Sequence, residues 1–96
     1  MTNRTETNMK VLGGHMVPTA LYQQVRRHLE ARMHIVVENK LYTLSEIYGK
    51  AHWDLLHSNW VKRVAGRCFA HMVYIGIFPF RFIQFKRYAT KRYQLR

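Results

Sequence analysis

The sequence predicts a mostly α-helical domain closed by a small C-terminal β-hairpin. Three observations carry that prediction. Apolar residues recur at helical spacing twice: Leu21, Val25, Leu29 and Met33 early in the chain, and Val61, Ala65, Cys68 and Met72 later. Beyond the second row the period drops to two, with Phe78, Phe80 and Phe82 alternating with Pro79 and Arg81 in an aromatic run of the kind strands favour. Between them stands Gly76, suited to the left-handed position that ends a helix without a Cβ clash. A length of 96 residues allows one domain with a modest core. With 48% hydrophobic and 14% aromatic residues, the chain is not composed like a disordered tail.

The elements follow in order. Residues 1–16 are polar and then glycine-bearing, and read as a flexible N-terminal segment ahead of a single domain over 17–96. Pro18 and Thr19 open the first helix, since proline suits a first helical turn and a threonine hydroxyl can cap one. The i+4 row from Leu21 to Met33 is extended by Val36, while Arg26, Arg27, Glu30 and Arg32 take the other faces. Ile35-Val36-Val37 is β-branched, Asn39-Lys40 reads as a turn, and Leu41-Tyr42 as a short strand. Thr43-Leu44-Ser45-Glu46 fits a capping box, in which each end residue's side chain satisfies the other's backbone N–H. Leu44, Ile47 and Tyr48 would face the core, and Gly49 ends or turns this second helix. Ala51, Trp53, Leu55 and Leu56 form a further apolar cluster. Ser58 is the expected N-cap of a third helix whose core face is Val61, Ala65, Cys68, Met72 and Ile75. Past Gly76 come the phenylalanine strand, a basic tip from Lys86 to Arg92, and a return strand at Tyr93-Gln94-Leu95.

Charge points to a polyanion. Sixteen Lys and Arg face five acids, for a net charge of +11 and an isoelectric point near 10.4. All five acids (Glu6, Glu30, Glu38, Glu46, Asp54) precede residue 55, and the remainder carries nine basic residues. Such one-sided positive charge is the electrostatic footprint of nucleic-acid binding, and solubility alone does not demand it. The longest uncharged apolar run, Cys68 to Phe80, is too short to span a bilayer. No secretory signal is read in the first sixteen residues, and a single cysteine suits a reducing compartment, so a cytoplasmic, nucleoid-associated protein is expected.

Helix, short strand, helix, turn, helix and hairpin in that order resemble the winged helix-turn-helix fold, three helices plus a wing. The resemblance covers about residues 18–95. It rests on the Thr43–Gly49 segment, the Ala65-Gly66-Arg67 helix, the Gly76-Ile77-Phe78-Pro79-Phe80 exit and the Lys-Arg-Tyr ends of the hairpin. The chain looks like small winged-helix regulators of bacteria and their phages. It departs from them at residues 50–59, which are longer than a tight helix-turn-helix turn. The resemblance implies that the third helix enters the major groove of duplex DNA and the hairpin lies along the backbone.

The expected DNA-binding residues are Asn59, Lys62, Arg63 and Arg67 on that helix, with Arg81, Lys86, Arg87, Tyr88, Lys91 and Arg92 on the hairpin. Arginine reads guanine bidentately, asparagine reads adenine, and either cation holds phosphate. The small Ala65-Gly66 pair suits close approach of a neighbouring helix or of a phosphate backbone. The tyrosines among the tip cations also suit stacking on unpaired bases, which keeps an RNA-binding role open. A phage or mobile-element inhibitor or adaptor that binds an acidic host protein or a nucleoprotein complex is the alternative of a different class. No enzyme activity and no cofactor are expected: the acids are scattered, Cys68 lies on the apolar row, and Gly13-Gly14 lacks the residues of a phosphate loop. Zinc on His52, His57, Cys68 and His71 is disfavoured, because the histidine spacing is not that of a ligand pair. Membrane insertion through Phe78–Phe85 is disfavoured too, because a packed hairpin uses those rings as core. Finally, Tyr22 and Val36 widen the first helix's stripe, which suggests a homodimer through residues 19–37.

Overall fold

The structure, a computed structural model, describes residues 7–56, 58–83 and 91–96. Its first element is unexpected. Strands β1 (Asn8–Lys10) and β2 (Met16–Pro18) pair antiparallel with Met9 opposite Val17. Val11 N–H donates to the His15 carbonyl at 2.8 Å across the turn. From Asn8 onward this hairpin replaces the flexible segment expected over residues 1–16, and the boundary expected at residue 17 falls inside β2. The physical reason is burial. Val11 and Val17 are 3% and 1% exposed and belong to the main core, which holds an otherwise polar segment down.

Helix α1 (Thr19–Arg32) follows directly, with Pro18 in extended geometry as its N-cap. Thr19 does not cap it; its N–H donates instead to the Thr7 carbonyl at 3.0 Å. Tyr22, Val25 and Leu29 are buried, and Leu21, Met33 and Val36 pack against the same core. The apolar stripe that suggested a homodimer is therefore used inside the chain. A 3₁₀ turn over Met33–Ile35 ends the helix, so the β-branched Ile35-Val36-Val37 makes no strand. Asn39, at φ 64, makes the expected turn into β3 (Leu41–Tyr42).

The capping box forms as read. Thr43 N–H donates to Glu46 Oε1 at 2.7 Å, and Glu46 N–H donates to Thr43 Oγ1 at 3.3 Å. It opens α2 (Leu44–Tyr48), whose Leu44, Ile47 and Tyr48 are buried. Gly49 then bends the chain into a separate α3 (Lys50–Asp54), so four α-helices replace three. Gly49 sits at φ +96 and ψ 119, where a side chain is strained, and a Cβ there would lie 3.0 Å from Arg32 Nη2. The bend leaves carbonyls at the end of α2 that need donors. Two α1 side chains one turn apart supply them: Arg32 Nε–H donates to Ile47 O at 3.1 Å, and His28 Nε2–H to Tyr48 O at 2.7 Å.

Helix α4 (Asn59–Tyr74) starts as expected, with Val61 N–H donating to Ser58 Oγ at 3.1 Å. Its buried face is wider than the predicted row and adds Val64, Phe69 and Val73. Ile75, expected in the core, is 52% exposed, because it is already the C-cap. Gly76, at φ +86, ends the helix. Its N–H donates to Val73 O, and Ile77 N–H donates to Met72 O, the paired bonds of a Schellman close. Strand β4 (Phe80–Ile83) pairs with β5 (Arg92–Leu95), and β5 also takes β3 on its other edge, giving the order β3-β5-β4. Phe69, fully buried, anchors this sheet on α4, with ring centroids 5.7 Å from Phe80 and 4.6 Å from Tyr93. The described residues thus make a mixed α/β globule of four α-helices and two small antiparallel sheets.

Candidate nucleic-acid interface

An open cleft of about 570 Å³ lies between α4, the α2–α3 bend and the β-sheet. From α4 it takes Lys62, Arg63, Gly66 and Arg67; from the entry to β5 it takes Lys91, with Tyr93. Leu44, Ser45 and Trp53 make the opposite wall. The local reason for this wall is the Gly49 bend. It carries Trp53 away from the line of α2 and leaves the ring partly exposed, 5.6 Å from Tyr48.

The cleft is cationic without compensation. Among the described residues that line it, four are basic and none is acidic. The ion pairs among the described residues are Arg26–Glu30 on α1 and Lys50–Asp54 on α3, both exposed i,i+4 pairs outside the cleft. Lys62 and Gly66, like Arg63 and Arg67, are four apart and lie one above the other on α4. Their positive charge therefore forms a short track along the helix, and Lys91 closes it on the sheet side. A track of this kind has the charge to attract anionic groups.

Gly66 sits in the middle of the track. A mid-helix glycine costs about 1 kcal/mol relative to alanine. A Cβ there would meet nothing within 4 Å, so no neighbouring helix requires it. Of the two uses expected for Ala65-Gly66, close helix approach falls to Ala65 alone, which is fully buried. Gly66 instead leaves the floor of the cleft bare.

The expected site residues separate into three groups. Lys62, Arg63, Arg67 and Lys91 line the cleft. Asn59 begins α4, exposed, in the same i, i+4, i+7 row as Arg63 and Gly66. Arg81 and Arg92 are not on the cleft. Arg81 pairs with Gln94, and Arg92 with Ile83, so both alternate with Phe80, Phe82 and Tyr93 and leave the sheet on its other face. Arg81 lines a separate shallow groove with Glu38, Asn39 and Arg96. Lys86, Arg87 and Tyr88 lie outside the described residues, as does His57. Sequence reasoning missed Ser45 and Trp53, since it gave Trp53 to an apolar cluster; the split at Gly49 was the signal available.

Cys68 packs in the core, and His71 and His52 lie against aromatic rings. Cys68 is fully buried, and burial pushes its thiol up to about 11. Tyr93, buried beneath the sheet, is pushed up to about 12 for the same reason. His71 sets its ring edge-on to Tyr22 at 6.0 Å, and the His52 ring lies tilted at 5.0 Å from His28. No described helix is long and apolar enough to cross a membrane. Of the aromatic run Phe78–Phe85, Phe78 and Phe80 are buried at 2% and 1% exposure, Phe82 is 44% exposed, and Phe85 is outside the described residues. Comparison with protein-family models, curated proteins and solved structures finds no match for this chain.

Proposed function

We propose that this chain is a small winged-helix DNA-binding protein, a regulator of the bacterial or phage type, with α4 as the helix presented to the major groove and the β4–β5 hairpin as wing. The observation that carries the reading is the uncompensated cationic cleft of Lys62, Arg63, Arg67 and Lys91, with the bare Gly66 floor between them. Topology supports it. A helix, a short strand on the return strand of the hairpin, a bent helical pair and a long helix before the hairpin follow the order of that fold. Phosphates would take the cations, and Asn59, Arg63 and Arg67 have the chemistry for base edges. Selection from a random duplex library tests the reading, and enrichment of one motif is the expected result. Arg67→Ala then lowers preference for the best site by about 1–3 kcal/mol, and Arg81→Ala, on the other face of the sheet, leaves it within about 0.5 kcal/mol. A duplex affinity that does not change with salt would remove the phosphate contacts on which the reading depends.

A second reading is an adaptor that binds an acidic host protein. It is favoured by Leu55 and Trp60, 77% and 56% exposed beside the α3–α4 turn, because tryptophan is enriched among interface hot spots. Tight binding to an acidic protein partner with no enriched duplex motif would select it.

A further inference from the structure

Beside the cationic cleft lies a second, smaller groove of about 210 Å³, lined by Leu12, Ala70, Tyr74, Phe82, Lys91 and Tyr93. We infer that this groove takes one unpaired base of the same DNA whose phosphates occupy the cleft, so that the preferred ligand is a duplex continued by a single strand. The inference rests on the DNA-binding reading and adds the class of DNA.

Four features argue for it. The two grooves adjoin: Lys91 and Tyr93 line both, and α4 supplies Arg63, Gly66 and Arg67 to one and Ala70 and Tyr74 to the next turns of the other. At 1.5 Å of rise per residue, Tyr74 lies about 10 Å along the helix from Arg67, within reach of a strand leaving the cleft. The described lining is mostly apolar and aromatic: Tyr74 is 73% and Phe82 44% exposed, and Ala70 is small. Every base has a π-face, so such a surface binds without reading sequence. Size sets a limit, since the groove is below the roughly 300–1,000 Å³ of a drug-sized ligand site and suits a single ring system. Lys91 fixes the polarity of the occupant. Its Nζ stands 5.8 Å from the Phe82 ring centroid, so a base on the ring brings its own phosphate next to an ammonium. An apolar protein segment would make no use of that ammonium.

The test measures anisotropy of a blunt duplex and of the same duplex with a short single-stranded extension carrying 2-aminopurine. The extension is expected to tighten binding by about 5- to 150-fold, the range for stacking one base, and to quench the 2-aminopurine. Tyr74→Phe keeps the advantage, whereas Tyr74→Leu loses it with blunt-duplex affinity unchanged. Phe82→Leu, checked by circular dichroism, is a second route to the same loss. Equal binding of the two DNAs, or an advantage that survives Tyr74→Leu and Phe82→Leu, overturns the inference and leaves the DNA-binding reading in place. Failure of both DNAs to bind overturns the reading and the inference together.

Discussion

Gly66 is the residue whose substitution separates folding from binding most cleanly. Alanine removes a helix-propensity cost of about 1 kcal/mol, and its methyl meets no neighbour within 4 Å. Gly66→Ala is therefore expected to raise Tm by several degrees. If a phosphate backbone approaches the cleft floor, the same change weakens duplex binding; thermal melts and anisotropy on one preparation give both numbers. Cys68 makes a second residue-scale prediction. Its thiol ionises near 9.0 in the unfolded chain and near 11 in the fold. Between those values the native state holds the extra proton, so stability falls as pH rises and is complete below pH 9. Tyr93 continues the loss from its ordinary 10.0 toward 12. Urea midpoints from pH 8 to 11 should fall, by about 1–3 kcal/mol in stability, and Cys68→Ala should flatten the pH 9–10 part.

At the scale of elements, the bend between α2 and α3 depends on α1. Arg32 and His28 satisfy the Ile47 and Tyr48 carbonyls exposed by that bend, and Gly49 takes a backbone conformation that side chains resist. Arg32→Ala leaves a part-buried carbonyl without its donor and is expected to cost about 1–3 kcal/mol in chemical denaturation. Because the bend carries Trp53 into the cleft wall, the same variant should red-shift Trp53 fluorescence, measured in a Trp60→Phe background. Much of this layer was legible beforehand. The Thr43–Glu46 box, the Ser58 cap and the Gly76 stop are local hydrogen-bond chemistry, and all three form where the residues stand. The capping role expected of Thr19 failed because Pro18 is already extended and the preceding hairpin takes the Thr19 N–H.

For the whole molecule, the decisive quantity is how the apolar surface is shared out. Tyr22, Val25 and Leu29 are sunk in the core, with Leu21, Met33 and Val36 against it, which removes the surplus that suggested a dimer through residues 19–37. Sedimentation at micromolar concentration is accordingly expected to give one species near 11.6 kDa. A species of twice that mass, dispersed by Val37→Asp at the 54%-exposed end of the segment, would show that the pairing surface exists after all.

What the sequence determined by itself was much of what near neighbours and composition set. It included the two helical rows, the Thr43–Glu46 and Ser58 caps, the Gly76 stop, the strand after it and the acid-free C-terminal charge. Those depend on periods, on hydrogen bonds a few residues long and on counting. Tertiary structure decided which cations share a surface. Lys62, Arg63, Arg67 and Lys91 meet across 29 residues because β5 returns beside α4, while Arg81 and Arg92 are turned away by strand alternation. It also decided the fate of the N-terminus. Two valines in a polar stretch give no periodic signal, and only the presence of a core within reach makes Val11 and Val17 worth burying.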